Sequence, residues 1–244
     1  MITAIHQPHY FPWLGYMDKM AKADQFIILD EVQLTDRSPM VRNKFLTFCG
    51  DVEMLSLSIK KKGYRNKKTK DIELFEIKNV QRCHQKFFEC NYRKAAFFNE
   101  IMEVIDPIFS RSYCRLIEIQ MDTVLLLKTL FGIGTDILYQ SNLQYDRRKQ
   151  KSDLIQAICE TVASNVYLSG NGARKYMDVL SFNKAGIRVV YQDFTYPIYQ
   201  QFRLEKFVPN LSSLDILFQL GIEDARHIFW ENVKKGTEFE VIDN

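Results

Sequence analysis

The sequence predicts an α/β protein with a Rossmann-like, mostly parallel sheet and a helical lobe inserted in the middle of the chain. Three observations predict this class. The first 30 residues contain an apolar run, a segment of helical periodicity and a second apolar run, which is the pattern of a βαβ unit. Strand and helix patterns alternate again after residue 132. Between these halves, over about residues 80–131, apolar residues recur at helical spacing.

The elements of the first half follow from the spacing of their apolar residues. The opening unit is predicted as a strand over residues 2–5, a helix marked by Leu14, Met17 and Met20, and a strand over residues 26–29. Three further strand patterns follow at residues 40–48, 52–59 and 71–77. Three helical patterns then occupy residues 82–98, 100–109 and 113–131. The last is dense in apolar residues and stops at Gly132, so we expect it to be the longest helix and to be buried.

The second half repeats the alternation. Strand patterns cover residues 135–139, 166–168 and 188–191, and helical patterns cover residues 152–163 and 172–178. Ser212 and Asp215 resemble a capping box, which would begin a helix that ends at Gly221. Because we find neither an internal repeat nor a linker, we expect a single domain over residues 1–244.

Composition narrows the class of protein. With 46% hydrophobic and 26% charged residues the chain is an ordinary globular protein, and its net charge of +3 is too small to indicate nucleic acid as a partner. The five cysteines form no C-x-x-C pair and no secretory signal precedes them, so we expect reduced thiols and a cytoplasmic location. No apolar run is long enough to cross a bilayer. Cys83, His84 and Cys90 lack the spacing of a zinc site, and we expect no metal.

The loop after the first strand is the strongest candidate site. It carries His6 and His9 three residues apart, together with Gln7, Tyr10 and Trp13, and two prolines restrict its backbone. Ligands of α/β proteins bind outside the carboxyl ends of parallel strands. A His-x-x-His pair at this place can bind nucleotide phosphates, as in the nucleotidyl-transfer enzymes that carry a HIGH motif. One hypothesis is therefore an adenylyl or nucleotidyl transferase that uses ATP to activate a carboxylate.

Further candidates lie at neighbouring strand ends and before a helix. Asp30 follows the second predicted strand, where a carboxylate can act as general base. Ser169 and Gly170 begin a turn of small residues after a later strand. Arg148 and Lys151 lie at the start of a predicted helix, whose N-terminus attracts anions, so we predict that they contact a phosphate.

Residues 60–70 form a more concentrated basic segment, in which seven of eleven residues are Lys or Arg. We expect an exposed hairpin tip that steers anionic substrates. The alternative is a non-catalytic module that binds nucleic acid or a carrier through this segment. RNA recognition would require aromatic side chains among the charges, and only Tyr64 is there, so nucleic acid is the weaker partner.

Taken together, the motifs resemble those of the WbqC-like family over nearly the whole chain. The N-terminal part of the pattern is His6-x-Pro8-x-x-x-Pro12-x-x-Gly15-Tyr16, Asp24, Leu29-Asp30-x-Val32-Gln33 and Arg42-Asn43. The downstream part is Tyr167-Leu168-Ser169-Gly170, Tyr176-Met177-Asp178, Gly186-Ile187, Tyr199-x-Gln201 and Leu211-Ser212-x-Leu214-Asp215. His9 lies outside this pattern. The family is named from bacterial O-antigen gene clusters, and its suggested role is the transfer of glycyl or other aminoacyl groups to amino sugars.

The resemblance implies a transferase that moves an acyl or aminoacyl group to a nucleotide-linked amino sugar in surface-polysaccharide biosynthesis. His6 would be the general base, and Asp30 would orient it or take its place. The other assigned positions would bind substrate, the basic ones through phosphates and the aromatic ones by stacking on a base or sugar: Gln7, His9, Tyr10, Trp13, Arg42, Asn43, Arg148, Lys151, Ser169 and Gly170. The implied partners are the nucleotide sugar and an acyl or aminoacyl donor, and ATP enters only in the adenylyl-transfer hypothesis.

Overall fold

The computed structural model describes residues 1–34, 38–202 and 204–236, and within them the fold is mixed α/β. In chain order the strands are β1 (Ile2–His6), β2 (Gln25–Ile28), β3 (Arg42–Leu46), β4 (Val52–Ser56), β5 (Asp136–Tyr139), β6 (Val166–Ser169) and β7 (Arg188–Tyr191). The helices are α1 (Leu14–Ala21), α2 (Ile77–Asn91), α3 (Phe98–Ser110), α4 (Leu116–Leu130), α5 (Lys151–Thr161), α6 (Val179–Lys184) and α7 (Leu214–Lys235).

Five strands form one parallel sheet in the order β5-β2-β1-β6-β7. β1 lies at the centre, where His6 is opposite Ile28 of β2 and Ala4 is opposite Leu168 of β6. β3 and β4 form a separate antiparallel hairpin. The predicted Rossmann-like α/β class is therefore confirmed, and the carboxyl ends of the parallel strands meet at one edge.

Both faces of the sheet are covered, because successive residues of a strand point to opposite sides. Ala4, Phe26 and Ile28 belong to a large core cluster that also contains the apolar sides of α1, α4 and α7. Ile5 and Ile27 belong to a smaller cluster with α5 and α6. This double burial explains why β1 and β2 read as short continuous apolar runs in the sequence.

The predicted helical lobe consists of α2, α3 and α4, and α7 packs into it. The ring of Phe218 in α7 lies 5.6 Å from the ring of Phe88 in α2 and 6.2 Å from that of Phe98 in α3. The lobe therefore draws its core from the C-terminal part of the chain as well as from the middle. The pattern of residues 80–131 alone could not show this.

The strand predicted over residues 71–77 is wrong. This stretch begins in a 3₁₀ turn (Thr69–Asp71), and only isolated bridges follow, from Glu73 to Arg115 and from Leu74 to Ile59. Ile72 and Leu74 are both buried. Two buried residues two positions apart give this connecting segment the apolar alternation of a strand.

Several helix boundaries also differ from the predictions. α2 begins earlier than predicted and ends at Asn91. α4 has 15 residues and is not the longest helix, because α7 spans 22 residues across its break at Gly221. The helix predicted over residues 172–178 is a 3₁₀ turn (Asn171–Lys175), and α6 follows it without having been predicted. α7 breaks at Gly221 as predicted, with φ 78° and ψ 176°, but a second helical segment continues to Lys235.

Two expectations concern the chain as a whole. Among the described residues, no helix has both the length and the apolar composition that crossing a membrane requires. The assignment of a single domain over residues 1–244 stays a prediction.

Candidate functional site

A cavity of about 410 Å³ lies at the carboxyl ends of β1, β6 and β7. It brings together the His6 end of β1, one side of α1, and the turns that follow β6 and β7. A larger cavity, about 580 Å³, lies between residues 193–198 and α7, but its lining includes no residue of a strand. We therefore regard the smaller cavity as the candidate site, as the general position of ligands in parallel sheets suggests.

Three rings meet at one end of this cavity. The centroid of His6 lies 4.8 Å from those of both His9 and Tyr16, and the centroids of His9 and Tyr16 are 5.0 Å apart. His6 and Tyr16 line the cavity, whereas His9 lies behind them and is 5% exposed. The two histidines of the predicted loop are therefore together, and Tyr16 joins them from the first turn of α1.

The tautomer of His6 follows from its hydrogen bond. Its Nδ1 lies 3.1 Å from the carbonyl oxygen of Gln7, which can only accept, so Nδ1 carries the hydrogen. Burial lowers the pKa of His6 well below its ordinary value, and the nearby His9 and Lys19 lower it further. The ring is therefore uncharged at neutral pH, with Nε2 as the basic nitrogen. Such a group can accept a proton from a substrate.

Two buried polar atoms beside His6 have no hydrogen-bond partner in the described structure. They are Nδ1 of His9 and the hydroxyl of Tyr16, which is 1% exposed. Burial lowers the pKa of His9 to about 3 and raises that of Tyr16, so both groups are uncharged at neutral pH. Unpartnered buried polar atoms are rare in proteins, so the cluster of His6, His9 and Tyr16 is unusual.

Lys19 lines the same cavity from α1, one turn after Tyr16. It is 3% exposed, and its Nζ donates a hydrogen bond of 2.9 Å to the carbonyl oxygen of Ile5. Burial lowers the pKa of Lys19 to about 7, although the nearby Cys159 acts in the opposite direction. A substantial fraction of the amine is therefore uncharged at neutral pH.

Aromatic residues form the opposite wall of the cavity. The ring of Trp13 lies 5.4 Å from that of Phe194 and 5.8 Å from that of Tyr196. A Cβ at Gly15 would collide with the indole of Trp13, which explains the glycine at the second position of α1. Such a wall can pack against the apolar face of a sugar ring or a base.

The helical lobe and the β3–β4 hairpin hold the histidine loop in place. Phe11 adopts a left-handed φ of 41°, and its carbonyl oxygen accepts a hydrogen bond of 2.5 Å from the side chain of Asn43. The backbone N–H of Phe11 donates to the hydroxyl of Thr123 in α4, at 3.0 Å. Gln120, also in α4, donates to the carbonyl oxygen of Pro8. Asn43 thus holds the histidine loop by a hydrogen bond to its backbone. Its predicted role in binding substrate stays a prediction.

The structure places several other predicted residues outside the lining of the cavity. Tyr10 is 1% exposed and its hydroxyl lies 2.9 Å from Nδ1 of His84, within the core. Asp30 is 3% exposed, and its Oδ1 accepts a hydrogen bond from the backbone N–H of Ser141 on the β5 side of the edge. Gln7 contributes its carbonyl oxygen to His6. Their roles in catalysis or binding stay predictions.

The small-residue turn after β6 does reach the cavity. Gly170 belongs to the lining, together with Asn171 and Gly172. Ser169 is fully buried, and its carbonyl oxygen accepts a hydrogen bond from the backbone N–H of Gln192. The His6 loop and this turn therefore converge, as the strand-end argument predicts.

The predicted phosphate-binding cations lie elsewhere. The side chain of Arg148 is 90% exposed and forms an ion pair of 2.9 Å with Asp146. Lys151 begins α5 and is exposed, and Arg42 is partly exposed at the start of β3. None of the three is among the residues that line the cavity. Whether they contact a phosphate stays a prediction.

The basic segment of residues 60–70 is tied to the body of the protein by two carboxylates. Glu73 pairs with Lys60 and Lys67, and its side chain is 43% exposed. Glu31 is 7% exposed and pairs with Lys68 and Lys70, as well as with Arg147 beyond β5. Lys60, Lys67, Lys68 and Lys70 are therefore held by ion pairs.

Within the described ranges, three or more His, Cys, Asp or Glu side chains nowhere lie together as ligands of one ion.

Sequence reasoning missed several residues of the lining. Gln192 directly follows β7, and its side chain donates to the carbonyl oxygen of Gly15 and to Asp18, so the strand-end rule that selected Asp30 could have found it. Lys19 has no such signal, because a lysine beside Met17 and Met20 is expected on the solvent side of a helix.

Comparison with known proteins identifies relatives over nearly the whole chain. The model of the WbqC-like protein family matches residues 7–227, a span that begins immediately after His6 and contains the rest of the cavity lining. An uncharacterised protein of Mycobacterium tuberculosis (strain ATCC 25618 / H37Rv), Rv1507c, is 31% identical over 223 residues, covering 91% of this chain and 94% of the relative. No solved structure matches the chain significantly.

Proposed function

This chain belongs to the WbqC-like protein family, and we propose that it transfers an acyl or aminoacyl group, of the glycyl type, to the amino group of a nucleotide-linked amino sugar. The product would enter surface-polysaccharide biosynthesis. The reaction would take place in the cytoplasm and would need no metal. The observation that carries this proposal is the uncharged His6, with a fixed tautomer, in a cavity at the sheet edge.

The chemistry of acyl transfer to an amine requires a base of this kind. When the sugar nitrogen attacks the acyl carbon, the new C–N bond forms and the nitrogen must lose a proton. Nε2 of His6 is free to accept that proton and can return it to the leaving group as the acyl bond breaks. The unpartnered hydroxyl of Tyr16, 1% exposed, can donate a hydrogen bond to the acyl oxygen as negative charge develops there.

The cavity also supports a sugar as the acceptor. Trp13, Phe194 and Tyr196 offer aromatic faces on which the C–H side of a pyranose ring can pack. The adenylyl-transfer hypothesis is supported less well. Histidines that bind phosphates gain from positive charge, whereas burial keeps both His6 and His9 uncharged at neutral pH.

The decisive experiment supplies the purified protein with candidate glycyl and acyl thioesters and with nucleotide-linked amino sugars, and detects acylated sugar by mass spectrometry. His6→Gln, which can still donate a hydrogen bond to Gln7, should lower turnover at least about a hundredfold, because it removes the base. Binding of the nucleotide sugar should persist. The exposed His227 provides the matched control, since His227→Gln should leave turnover unchanged.

Three results would contradict the proposal. Equal turnover of His6→Gln and the wild type would remove His6 from the chemistry. If the protein binds nucleotide sugar but forms no product with any donor, a binding module would be the better explanation. If it binds RNA with a steep salt dependence and binds no nucleotide sugar, a sugar transferase would be excluded.

A further inference from the structure

The burial of Lys19 is unusual because no carboxylate accompanies it. Lysine is almost never fully buried in proteins unless it is paired. Lys19 is 3% exposed, and among the described residues no carboxylate lies within ion-pair distance of its Nζ. The described partners of that amine are the carbonyl oxygen of Ile5 and the ring of Tyr167, whose centroid is 6.0 Å away. Lys22 on the same helix shows the ordinary arrangement, because it is also buried but pairs with Asp18 at 2.9 Å. The burial of Lys19 therefore needs an explanation, whereas the burial of Lys22 is explained by its ion pair with Asp18.

The position of Lys19 beside the cavity offers an explanation for its burial. Its side chain lines the cavity beside Tyr16, one turn earlier on the same side of α1. The Tyr16 hydroxyl is buried and has no hydrogen-bond partner in the part of the chain that the structure describes, and the ring of His6 lies 4.8 Å from that of Tyr16. The side chains of Lys19, His6 and Tyr16 therefore all belong to the lining of one cavity.

We propose that Lys19 is a nucleophile that forms an imine with a small aldehyde or ketone bound in this cavity. Its amine is uncharged to a useful degree near neutral pH, since burial lowers the pKa of Lys19 to about 7. The activity goes beyond the acyl transfer proposed above and does not depend on it. The two reactions would share the site for a carbonyl oxygen.

The step can be written with the groups present. The lone pair of Lys19 Nζ attacks the carbonyl carbon, while the Tyr16 hydroxyl donates a hydrogen bond to the carbonyl oxygen. His6 Nε2 takes a proton from the attacking nitrogen and delivers it to that oxygen, which gives a neutral carbinolamine. A second proton follows the same route as the C–O bond breaks. One water leaves, and the C=N bond remains.

The walls of the cavity define the class of carbonyl compound. A volume of about 410 Å³ suits a small molecule. The lining contains both the backbone of the Gly170–Gly172 turn and the aromatic ring of Trp13, which favours a hydroxylated aldehyde or ketone over a purely apolar one.

Reductive trapping tests the proposal without any knowledge of the natural substrate. The folded protein is incubated at pH 7 with dihydroxyacetone and sodium cyanoborohydride, which reduces an imine to a stable secondary amine. Peptide mapping by mass spectrometry then gives the rate of modification at each lysine. Lys19 should react at least about ten times faster than the exposed Lys61, and the paired Lys22 should stay unmodified.

The matched variant is Tyr16→Phe, which keeps the ring and removes only the hydroxyl. We expect trapping at Lys19 to slow about tenfold while Lys61 is unaffected, with circular dichroism confirming that the variant is folded. If Lys19 of the folded wild type reacts no faster than Lys61, or if Lys22 reacts equally, the proposal is wrong. Either outcome leaves the acyl-transfer proposal intact, because that proposal is judged by the turnover of His6→Gln.

Discussion

Burial of an unpaired amine should make the stability of this protein depend on alkaline pH. The pKa of Lys19 is about 7 in the folded protein and near that of a free lysine, about 10.4, in the unfolded chain. Between these values the unfolded state binds more protons, so stability rises with pH by up to about 1.4 kcal/mol per pH unit. Below pH 7 the cost of burying the charge is present in full.

The measurement is urea denaturation of the wild type and of Lys19→Met between pH 6 and pH 10. We expect the variant to lose the rise in stability above pH 7. The acid side provides an internal control. The pKa values of His6 and His9 are lowered by burial, to about 3 for His9, so both proteins should lose stability as the pH falls below 6.5. A slope above pH 7 that survives in Lys19→Met would contradict the assignment of the low pKa to this residue.

For individual residues, the sequence could predict the chemistry of a single loop. It could not predict which side chains from different helices and strands lie together. His6 and Gly170 are predictable from the sequence because each lies at the carboxyl end of an apolar strand, and parallel strands end at one edge. The same rule selects Asp30, but its side chain accepts a hydrogen bond from the backbone N–H of Ser141, on the β5 side of the sheet edge. Position along the strand was predictable, whereas side-chain direction depends on loops that have no periodic pattern.

Among the elements, the β3–β4 hairpin has a specific task, which is to hold the histidine loop through Asn43. In Asn43→Ala the buried carbonyl oxygen of Phe11 loses its donor at 2.5 Å, and that of Tyr10 loses one at 3.4 Å. A buried polar group without a partner costs about 1–3 kcal/mol. We expect a loss of unfolding free energy in this range, measured by urea denaturation.

The control for this variant is Asn183→Ala, at an exposed position of α6, which should change stability by less than about 0.5 kcal/mol. Asn43→Ala should also weaken ligand binding, because the loop carries His9 and Trp13. Should the two variants have equal stability, the hairpin would not support the loop, and a direct role of Asn43 in binding substrate would become the better explanation.

Whether a strand or helix could be predicted from the sequence depended on how it is buried. β1, β2 and β6 are continuous apolar runs, since both faces of the sheet are covered, and such runs are easily recognised. Beyond Gly221, by contrast, α7 continues because its tertiary contacts favour a helix there. Arg226 donates to the carbonyl oxygen of Leu130, and the indole N–H of Trp230 to that of Phe131. No local signal in the sequence reports those contacts.

For the molecule as a whole, Glu31 joins three stretches that are far apart in the chain. Its side chain, 7% exposed, lies at the end of β2 and pairs with Lys68 at 2.8 Å and Lys70 at 3.0 Å. Arg147, which follows β5, pairs with its other oxygen at 2.6 Å. Burial alone would raise the pKa of Glu31, but hydrogen bonds from the two lysines and the charge of Arg147 hold it below its ordinary value.

Glu31→Gln should therefore leave three neighbouring cations without their shared carboxylate. We expect a loss of unfolding free energy on the order of 2 kcal/mol at low salt, less than for a fully buried pair because the cations are partly solvated. The loss should shrink as sodium chloride is raised from about 0.05 M to about 0.5 M, since salt screens the repulsion among the cations. Thermal unfolding at the two salt concentrations measures both effects.

Glu73→Gln is the matched control, because Glu73 also pairs with two lysines of the basic segment, Lys60 and Lys67, but is 43% exposed. Solvent already screens these pairs, so this variant should change stability far less and with little dependence on salt. If the two variants behave alike, burial does not distinguish the carboxylates. The basic segment would then be held mainly by its backbone hydrogen bonds, such as those from Thr69 to Val32 and from Lys70 to Asp30.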